Sequence, residues 1–201
     1  PPETEDEQAT QIAEFLETMF CPGESYELVS EVMINGNGKK NPCRSTPEII
    51  VREESEFSAE SIANITTFAS SCSEGAWISL NPVSQVIKGK APSDSEVTDC
   101  RHALVEADDL SKEEQWQKLR ELNLPILAVV WSGGKSLHAI VKIDAGNDRE
   151  LYKKRVELLH DYLKEKGFPA DSANKNPSRL TRLPGVRREE DMQYLVAREF
   201  G

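Results

Sequence analysis

Two acidic residues at alternating positions, Glu106 and Asp108, are the first candidates for chemistry in the sequence. They lie in ALVEADDL (103–110), where small apolar residues alternate as in a β-strand, so both carboxylates are expected on one face. Neighbouring carboxylates repel each other unless a cation lies between them. Hard cations such as Mg²⁺ prefer carboxylate oxygens and promote phosphoryl transfer. Asp171 is the best candidate for a third ligand. The alternative is a solvated edge strand before a helix.

A glycine-rich stretch, WSGGKSLHAIVKI (131–143), is the second candidate. Its GGKS is not a P-loop, because that motif needs an earlier glycine, where this chain has Val129, and a following helix, where alternation predicts a strand. The stretch is instead predicted to be a β-hairpin with glycines at its tip. The N–H groups of the tip, with Lys135 and the hydroxyls of Ser132 and Ser136, suit a phosphate group. An ordinary glycine hairpin without a ligand is the alternative.

The strand after this tip carries His138 on the face opposite to its apolar residues. If the apolar residues of this strand and of 103–110 face helices, then His138, Glu106 and Asp108 converge on the other side of the sheet. A histidine alone is more often a bystander than a catalytic residue, so it is the convergence that indicates a site.

The net charge of −11 argues against a nucleic-acid partner until its distribution is considered. The segment 174–188 contains five basic residues and no acidic residue. Leucines and a proline alternate with these charges, which favours a packed loop with fixed arginines, suited to phosphate recognition, over a solvated basic loop. Lys175, Arg179 and Arg182 are therefore candidates for phosphate binding.

Hydrophobic periodicity predicts a mixed α/β (α+β) fold, with residues 1–201 as a single domain. The second half has the order β-α-β-β-α-β, an RNA-recognition-like (RRM-like) arrangement in which helices cover one face of the sheet and the other face is open. A polar connection separates an N-terminal α/β lobe, 1–95, from an RRM-like lobe, 96–201. Helices are predicted at 8–20, 58–71, from 111 onward and at 148–166, and strands at 26–34, 48–52, 75–83, 103–110, 126–131, 137–143 and 192–197.

The composition is that of a globular protein outside membranes. No run approaches the roughly eighteen apolar residues that a membrane span needs, and the acidic N-terminus lacks the features of a secretory signal. The four cysteines lack the short spacing of a zinc site and are expected as free, buried thiols in a reducing cytoplasm. The chain begins at Pro1 rather than Met, which suggests a processed or trimmed chain with further domains.

In this order along the chain, the features resemble the catalytic core of the archaeo-eukaryotic primase (AEP) superfamily. The resemblance is to the primase-polymerase (prim-pol) domains of phages, plasmids and mobile bacterial elements. That family has a D/E-x-D/E pair on a strand, S-x-H on a hairpin strand and a later aspartate. These motifs fall here on Glu106 and Asp108, on Ser136 and His138, and on Asp171. The Asn-Pro of GAWISLNPV and the later SRLTRLPG also resemble this group.

The resemblance covers about residues 75–188 and implies a two-lobed fold with the active site in the cleft between the lobes. It implies a template-dependent DNA primase/polymerase, which transfers a nucleotide from an NTP or dNTP to a 3′-hydroxyl and releases pyrophosphate. The expected setting is replication of a phage, plasmid or mobile element in the cytoplasm of a bacterial or archaeal host. The expected partners are a single-stranded DNA template, a primer, and a helicase or primer-binding domain of a longer chain, with no membrane.

The resemblance also implies roles for individual residues. Glu106, Asp108 and Asp171 would bind two divalent metal ions, Mg²⁺ or Mn²⁺, while Ser136 and His138 would contact the triphosphate. The pattern departs from the commonest form in two ways, since glutamate in the first position lengthens one ligand arm and no zinc-binding insertion is evident. The additional phosphate-binding candidates are Lys135, Lys175, Arg179 and Arg182.

Two other classes stay open at this point. A non-catalytic RRM-like nucleic-acid-binding module would display aromatic residues on its open face, whereas acids and a histidine are expected there. Another metal-dependent nucleotide enzyme on a palm-like sheet, such as a cyclase or phosphodiesterase, is the second alternative. The basic RLTRLPG segment and the S-x-H hairpin favour the polymerase over it.

Overall fold

Helices and short antiparallel strands make up the chain, in the mixed α/β class that the periodicity predicts. The computed structural model describes residues 1–45, 47–53, 57–84 and 91–200. The helices are α1 (Glu5–Met19), α2 (Ala59–Ala69), α3 (Lys112–Glu121) and α4 (Arg149–Glu165). The strands are β1 (Ser25–Val29), β2 (Val32–Ile34), β3 (Lys40–Pro42), β4 (Glu48–Val51), β5 (Trp77–Ser79), β6 (His102–Val105), β7 (Ile126–Trp131), β8 (Leu137–Lys142), β9 (Leu180–Arg182), β10 (Val186–Arg188) and β11 (Asp191–Phe200).

Capping side chains fix where the helices begin. The predicted capping box at α3 is confirmed, because Ser111 Oγ accepts the Glu114 N–H at 3.3 Å and the Glu114 carboxylate accepts the Ser111 N–H at 3.0 Å. Thr4 and Glu7 form a second capping box at α1. The box at Ser111 sets the start of α3 directly after the turn that contains Asp108.

Two antiparallel sheets carry the candidate site. The first has the strand order β4-β1-β5-β9 and the second has the order β10-β11-β7-β8-β6. β8 lies between β6 and β7, as a split β-α-β unit requires, and Leu104 of β6 pairs with Ile140 of β8. β9 leaves this order and pairs with β5, so the second half of the chain contributes a strand to the first sheet.

The second sheet is apolar on both faces, and the prediction of an open face is wrong. On one face, Val105 and Ala139 belong to the core beneath α3 and α4. On the other, Val130 and Ile140 pack with Phe15 of α1 and with the first sheet. Leaving such a face in water would forgo roughly 1.5–3 kcal/mol for each large side chain, so the N-terminal half covers it.

The predicted strands differ from the observed ones in several places, and the strand predicted at 75–83 spans only Trp77–Ser79. The strand predicted at 26–34 is divided into β1 and β2, and β2 pairs with β3 where the sequence predicts a flexible turn. ALVEADDL is a strand only as far as Val105, because the Glu106 carbonyl accepts the Asp171 N–H instead of a strand partner. The three-residue strands β9 and β10 lie in the basic segment and are too short for their alternation to be detected.

The structure tests the prediction that the four cysteines are free and buried, and it shows the character of the helices. All four cysteines are free, as predicted, but only Cys100 is buried, because the others lie on exposed or half-exposed loops. Within the described ranges, no helix combines the length and the apolar character needed to cross a bilayer.

Candidate active site

A cavity of about 520 Å³ is lined by residues of both sheets and of the β2–β3 hairpin. Among the described residues, its lining includes seven cationic side chains and three carboxylates. The carboxylates are Glu106, Asp108 and Asp171, and the cationic residues are Lys39, Lys40, Arg44, Lys135, Arg179, Arg182 and Arg188. The cavity is therefore cationic and attracts anions, although the chain has a net charge of −11.

Glu106 lies at the centre of a hydrogen-bonded group. Its Oε2 is 2.9 Å from His138 Nε2 and accepts the Ser136 hydroxyl at 3.1 Å, while its Oε1 accepts the Asn174 amide at 2.8 Å. Burial by itself would raise the pKa of Glu106, but the adjacent His138 and the three hydrogen bonds outweigh it and lower the pKa to about 2. Glu106 is therefore held as a carboxylate near neutral pH.

His138 connects the two sheets through its ring nitrogens. Nε2 faces Glu106, and Nδ1 is 3.0 Å from Oγ1 of Thr181, a fully buried residue of β9. Because β8 belongs to the second sheet and β9 to the first, the pair fixes the ring from both sides. The predicted alternation on β8 is borne out, since His138 lies on the face opposite to Leu137 and Ala139.

Asp171 and Asp108 line the same cavity on loops. The Asp171 N–H donates to the Glu106 carbonyl at 2.9 Å, and Asp171 Oδ1 accepts the Ala173 N–H at 2.9 Å, so this loop is fixed beside the end of β6. Asp108 is exposed in the turn after β6, not on a strand face as predicted. Within the described part of the chain, no three His, Cys, Asp or Glu side chains form a ready-made metal site.

Asn81 fixes the base of the site. Its amide donates to the carbonyls of His102 and Pro177 at 3.0 and 2.9 Å, and its oxygen accepts the N–H groups of Arg101 and His102 at 2.9 and 2.8 Å. This fully buried side chain therefore joins the end of β5 to the start of β6 and to the loop before β9.

The tip of the β7–β8 hairpin is shaped by Arg188. The tip is closed by the Ser132 N–H, which donates to the Ser136 carbonyl at 3.0 Å, and Gly133 has φ +65°. A Cβ at Gly134 would lie 2.4 Å from Nη1 of Arg188, which donates to the Ser132 carbonyl at 3.1 Å. Glycine is thus favoured at 133 by the backbone and at 134 by the close approach of the Arg188 side chain, whether or not a phosphate binds.

The structure brings three of the four predicted basic residues to the cavity, namely Lys135, Arg179 and Arg182. Arg179 donates to the Asn174 oxygen at 2.6 Å and so supports the amide that binds Glu106. Arg182 lies 3.8 Å from the centre of the Trp77 ring and donates to the Glu74 carbonyl. Burial, with the nearby Arg188 charge, lowers the pKa of Arg182 to about 9. Lys175 lies elsewhere, in the grooves beside α4.

Several site residues are missing from the sequence-based set. Asn174 and Thr181 lie within the basic segment, but their side chains are uncharged, so the charge pattern of the sequence does not point to them. The paired lysines of NGNGKK, which follow a glycine turn, are the one signal that could have indicated a basic wall. The missed residues are Lys39, Lys40, Arg44, Trp77, Asn174, Thr181 and Arg188.

The fold is that of the AEP-type prim-pol catalytic domain, as the resemblance in sequence implies. The structure of primase RepB′ superposes with a TM-score of 0.54 at 19% identity, over 95% of this chain and 56% of that one. The AEP domain of the cyanophage S-2L primase-polymerase superposes with a TM-score of 0.57 at 18% identity, over 94% of this chain and 89% of that one.

A third structure, the catalytic domain of RepB′ in complex with initiator DNA, has a TM-score of 0.55 at 19% identity, over 95% of this chain and 85% of that one. This chain thus spans little more than half of the first RepB′ chain. No family model and no curated protein matches the sequence. The structural likeness extends well beyond residues 75–188 and includes most of the N-terminal half.

Proposed function

We propose that this chain is the catalytic domain of a DNA primase-polymerase. It would transfer a nucleotide from an NTP or dNTP to a 3′-hydroxyl on a single-stranded DNA template, with release of pyrophosphate, in replication of a phage, plasmid or mobile element. The observation that carries the proposal is the cavity itself, in which three carboxylates lie among seven cationic side chains of the described residues on a prim-pol fold.

The carboxylates suit hard cations in ligand type, and we assign Glu106, Asp108 and Asp171 to two divalent ions, Mg²⁺ or Mn²⁺. The lack of a closed cage among the described residues is compatible with this, because Mg²⁺ is held by one or two carboxylates together with substrate phosphates and water. When bound, such ions activate the 3′-hydroxyl and neutralise charge on the departing pyrophosphate.

The remaining side chains bind and orient the nucleotide in this proposal. Ser136 and His138, which contact Glu106 in this structure, would donate to triphosphate oxygens once the Glu106 carboxylate binds metal ions. The cations around them would neutralise the phosphate charge. Lys175, which lies beside α4, receives no role at the triphosphate. The cationic residues assigned to the phosphates are Lys135, Arg179, Arg182 and Arg188.

Extension of a primer on a single-stranded template, with dNTPs or NTPs and Mg²⁺ or Mn²⁺, tests the proposal directly. Asp108→Ala is expected to lower incorporation by a factor of about 100 or more, because a charge-stabilising group is lost from the reacting centre. Asp109→Ala is the matched control, since Asp109 is the exposed neighbour that does not line the cavity. Equal activity of the two variants, or DNA binding without any incorporation, would refute the proposal.

The non-catalytic alternative is weakened by the fold. An RRM-like module binds bases on an open sheet face, whereas here the N-terminal half covers that face with an apolar core. The same assay distinguishes a cyclase or phosphodiesterase, which would act on the nucleotide without a template. Because the first RepB′ chain extends beyond the matched part, a helicase or primer-binding domain in a longer form of this protein remains part of the proposal.

A further inference from the structure

The β2–β3 hairpin belongs to neither of the two sheets. Among the described residues its strands pair only with each other, residues 32–34 with residues 40–42. A two-stranded hairpin is marginally stable by itself, so its position depends on contacts with the rest of the chain.

Two ion pairs fix the hairpin against the cavity. Arg44, just after β3, donates to both oxygens of the fully buried Glu27 carboxylate at 3.0 and 2.6 Å, and to the Pro92 carbonyl at 2.8 Å. The Lys40 ammonium pairs with the Glu74 carboxylate. The base of the hairpin is therefore attached to the first sheet, and β3 forms part of the cavity wall.

The turn of the hairpin is ordered but stands clear of the protein. Asn35 Oδ1 accepts the N–H groups of Asn37 and Lys39 at 3.1 and 2.9 Å, which closes the turn. A Cβ at Gly36 or Gly38 would meet no described atom within 4 Å. The surroundings of the tip thus leave room for a ligand.

The hairpin presents apolar and cationic groups side by side. Ile34, which is 65% exposed, pairs with Lys40 across the hairpin, so these two side chains share one face, and Lys39 and Lys40 line the cavity. Met33, which is 56% exposed, lies on the opposite face because successive side chains alternate along a strand. One face of the hairpin therefore carries an exposed apolar side chain beside a cationic one. Single-stranded DNA matches this combination, because its unpaired bases offer apolar faces and its backbone offers phosphates.

We infer that the β2–β3 hairpin binds the single-stranded template at the edge of the active site. Ile34 packs against an unstacked base on the face that it shares with Lys40, while Lys39 and Lys40 neutralise backbone phosphates. The inference rests on the proposed function, which requires a template beside the nucleotide. Duplex DNA fits less well, because its bases are stacked and paired and leave no face for the apolar side chain.

Binding of a short fluorescent single-stranded oligodeoxynucleotide, measured by anisotropy over a range of salt concentrations, tests the inference. Ile34→Ser is expected to weaken binding roughly fivefold without changing the salt dependence, since no charge is removed. Met33→Ser, on the opposite face of the hairpin, is expected to leave binding unchanged. Lys39→Ala with Lys40→Ala is expected to weaken binding and to reduce the slope of log K against log salt by roughly 0.7 for each phosphate that is no longer neutralised.

Matched control variants lie on α4, away from the cavity. Leu158→Ser removes an apolar side chain that is 68% exposed, and Lys154→Ala removes an exposed positive charge. Both controls are expected to bind the oligonucleotide like the unchanged protein. If the controls and the hairpin variants weaken binding equally, general surface effects explain the result and the hairpin has no special role.

The outcomes separate this inference from the proposed function. Template-dependent extension with unaltered DNA binding in the Ile34 and lysine variants would overturn the inference alone. If the unchanged protein binds no single-stranded DNA and extends no primer, both fall. Tighter binding of duplex DNA or of RNA that depends on Ile34 would replace the proposed partner. If the hairpin variants bind the nucleotide more weakly in the absence of DNA, by the same factor as their binding of DNA is weakened, then the hairpin shapes the cavity instead of binding the template.

Discussion

The two hairpins that line the cavity have similar sequences and opposite surroundings. Both carry a pair of glycines followed by lysine, in SGGKS and in NGNGKK. A Cβ at Gly134, in the first, would lie 2.4 Å from Arg188, whereas one at Gly36, in the second, would meet no described atom within 4 Å. In the part of the chain that the structure describes, the β7–β8 hairpin is part of a five-stranded sheet, and the β2–β3 hairpin pairs only with itself. Composition alone does not tell a packed tip from a free one.

Each hairpin carries a cavity-lining residue that forms an ion pair with a carboxylate, His138 with Glu106 and Lys40 with Glu74. In the His138–Glu106 pair the side chains are 9% and 17% exposed, whereas in the Lys40–Glu74 pair they are 49% and 10% exposed. Exposed ion pairs contribute about 0–1 kcal/mol, since water and salt screen them, and buried hydrogen-bonded pairs are far more sensitive to loss of a partner. We therefore expect the loss of one partner to cost more in the first pair than in the second.

The largest difference between the hairpins is expected in activity. His138→Gln keeps a donor near Glu106 but removes the imidazole from the proposed triphosphate site, so incorporation should fall by about 100-fold or more. Lys40→Gln should lower it by no more than about tenfold, because other cations line the same cavity. Steady-state primer extension measures both, and thermal unfolding checks that each variant is folded. Equal losses would show that the two hairpins contribute alike.

The pH dependence of the free energy of unfolding at acidic pH should also be larger for the His138–Glu106 pair than for the Lys40–Glu74 pair. Since the pKa of Glu106 is lowered to about 2 from an ordinary value of 4.5, its ionised form stabilises the folded state above pH 4.5, and this is lost as the pH falls through about 2. The shift corresponds to on the order of 3 kcal/mol. Denaturant unfolding at several acidic pH values should show a weaker pH dependence in Glu106→Gln than in the unchanged protein.

Glu74 provides the comparison for this measurement. The hydrogen bond from Lys40 lowers its pKa, which gives the same sign, but the half-exposed ammonium is screened by solvent and the effect should be smaller. A pH dependence that changes more in Glu74→Gln than in Glu106→Gln would contradict the contrast between the pairs.

Local sequence patterns predict the parts of this site that depend on alternation and capping. Alternation on β8 places His138 correctly, and the box at Ser111 fixes α3. The contribution of β9 to the other sheet depends on contacts between distant segments, so the bond from Thr181 to His138 is invisible in the sequence. Glu106 lies beside His138, as the alternation predicts. Asp108 lies beyond the end of the strand, because the Asp171 loop takes the place of a strand partner.

Thr181 tests whether this contact between sheets matters for the β7–β8 hairpin. Thr181→Val keeps the volume but leaves His138 Nδ1 without its hydroxyl partner, and an unpaired buried polar atom costs about 1–3 kcal/mol. Incorporation should fall by roughly tenfold, in kcat more than in KM, because the ring is misoriented rather than absent. Thr181→Ser restores the hydroxyl and should recover most of the activity. A serine variant as slow as the valine variant would mean that packing, and not the hydrogen bond, is what matters.

The smallest expected effect isolates the packing of the two tips. Neither Gly134 nor Gly36 has a positive φ, so alanine at either position introduces little backbone strain, and the difference between them reports their surroundings. Gly134→Ala forces the end of the Arg188 side chain aside, which should raise the KM for the nucleotide a few-fold while stability changes by less than about 1 kcal/mol. Gly36→Ala should change the free energy of unfolding by less than about 0.5 kcal/mol. It should change the KM for the nucleotide by no more than the factor that corresponds to this energy, about twofold. If Gly36→Ala instead raises the KM for the nucleotide as much as Gly134→Ala does, then the β2–β3 tip closes onto the nucleotide and is not free during the reaction.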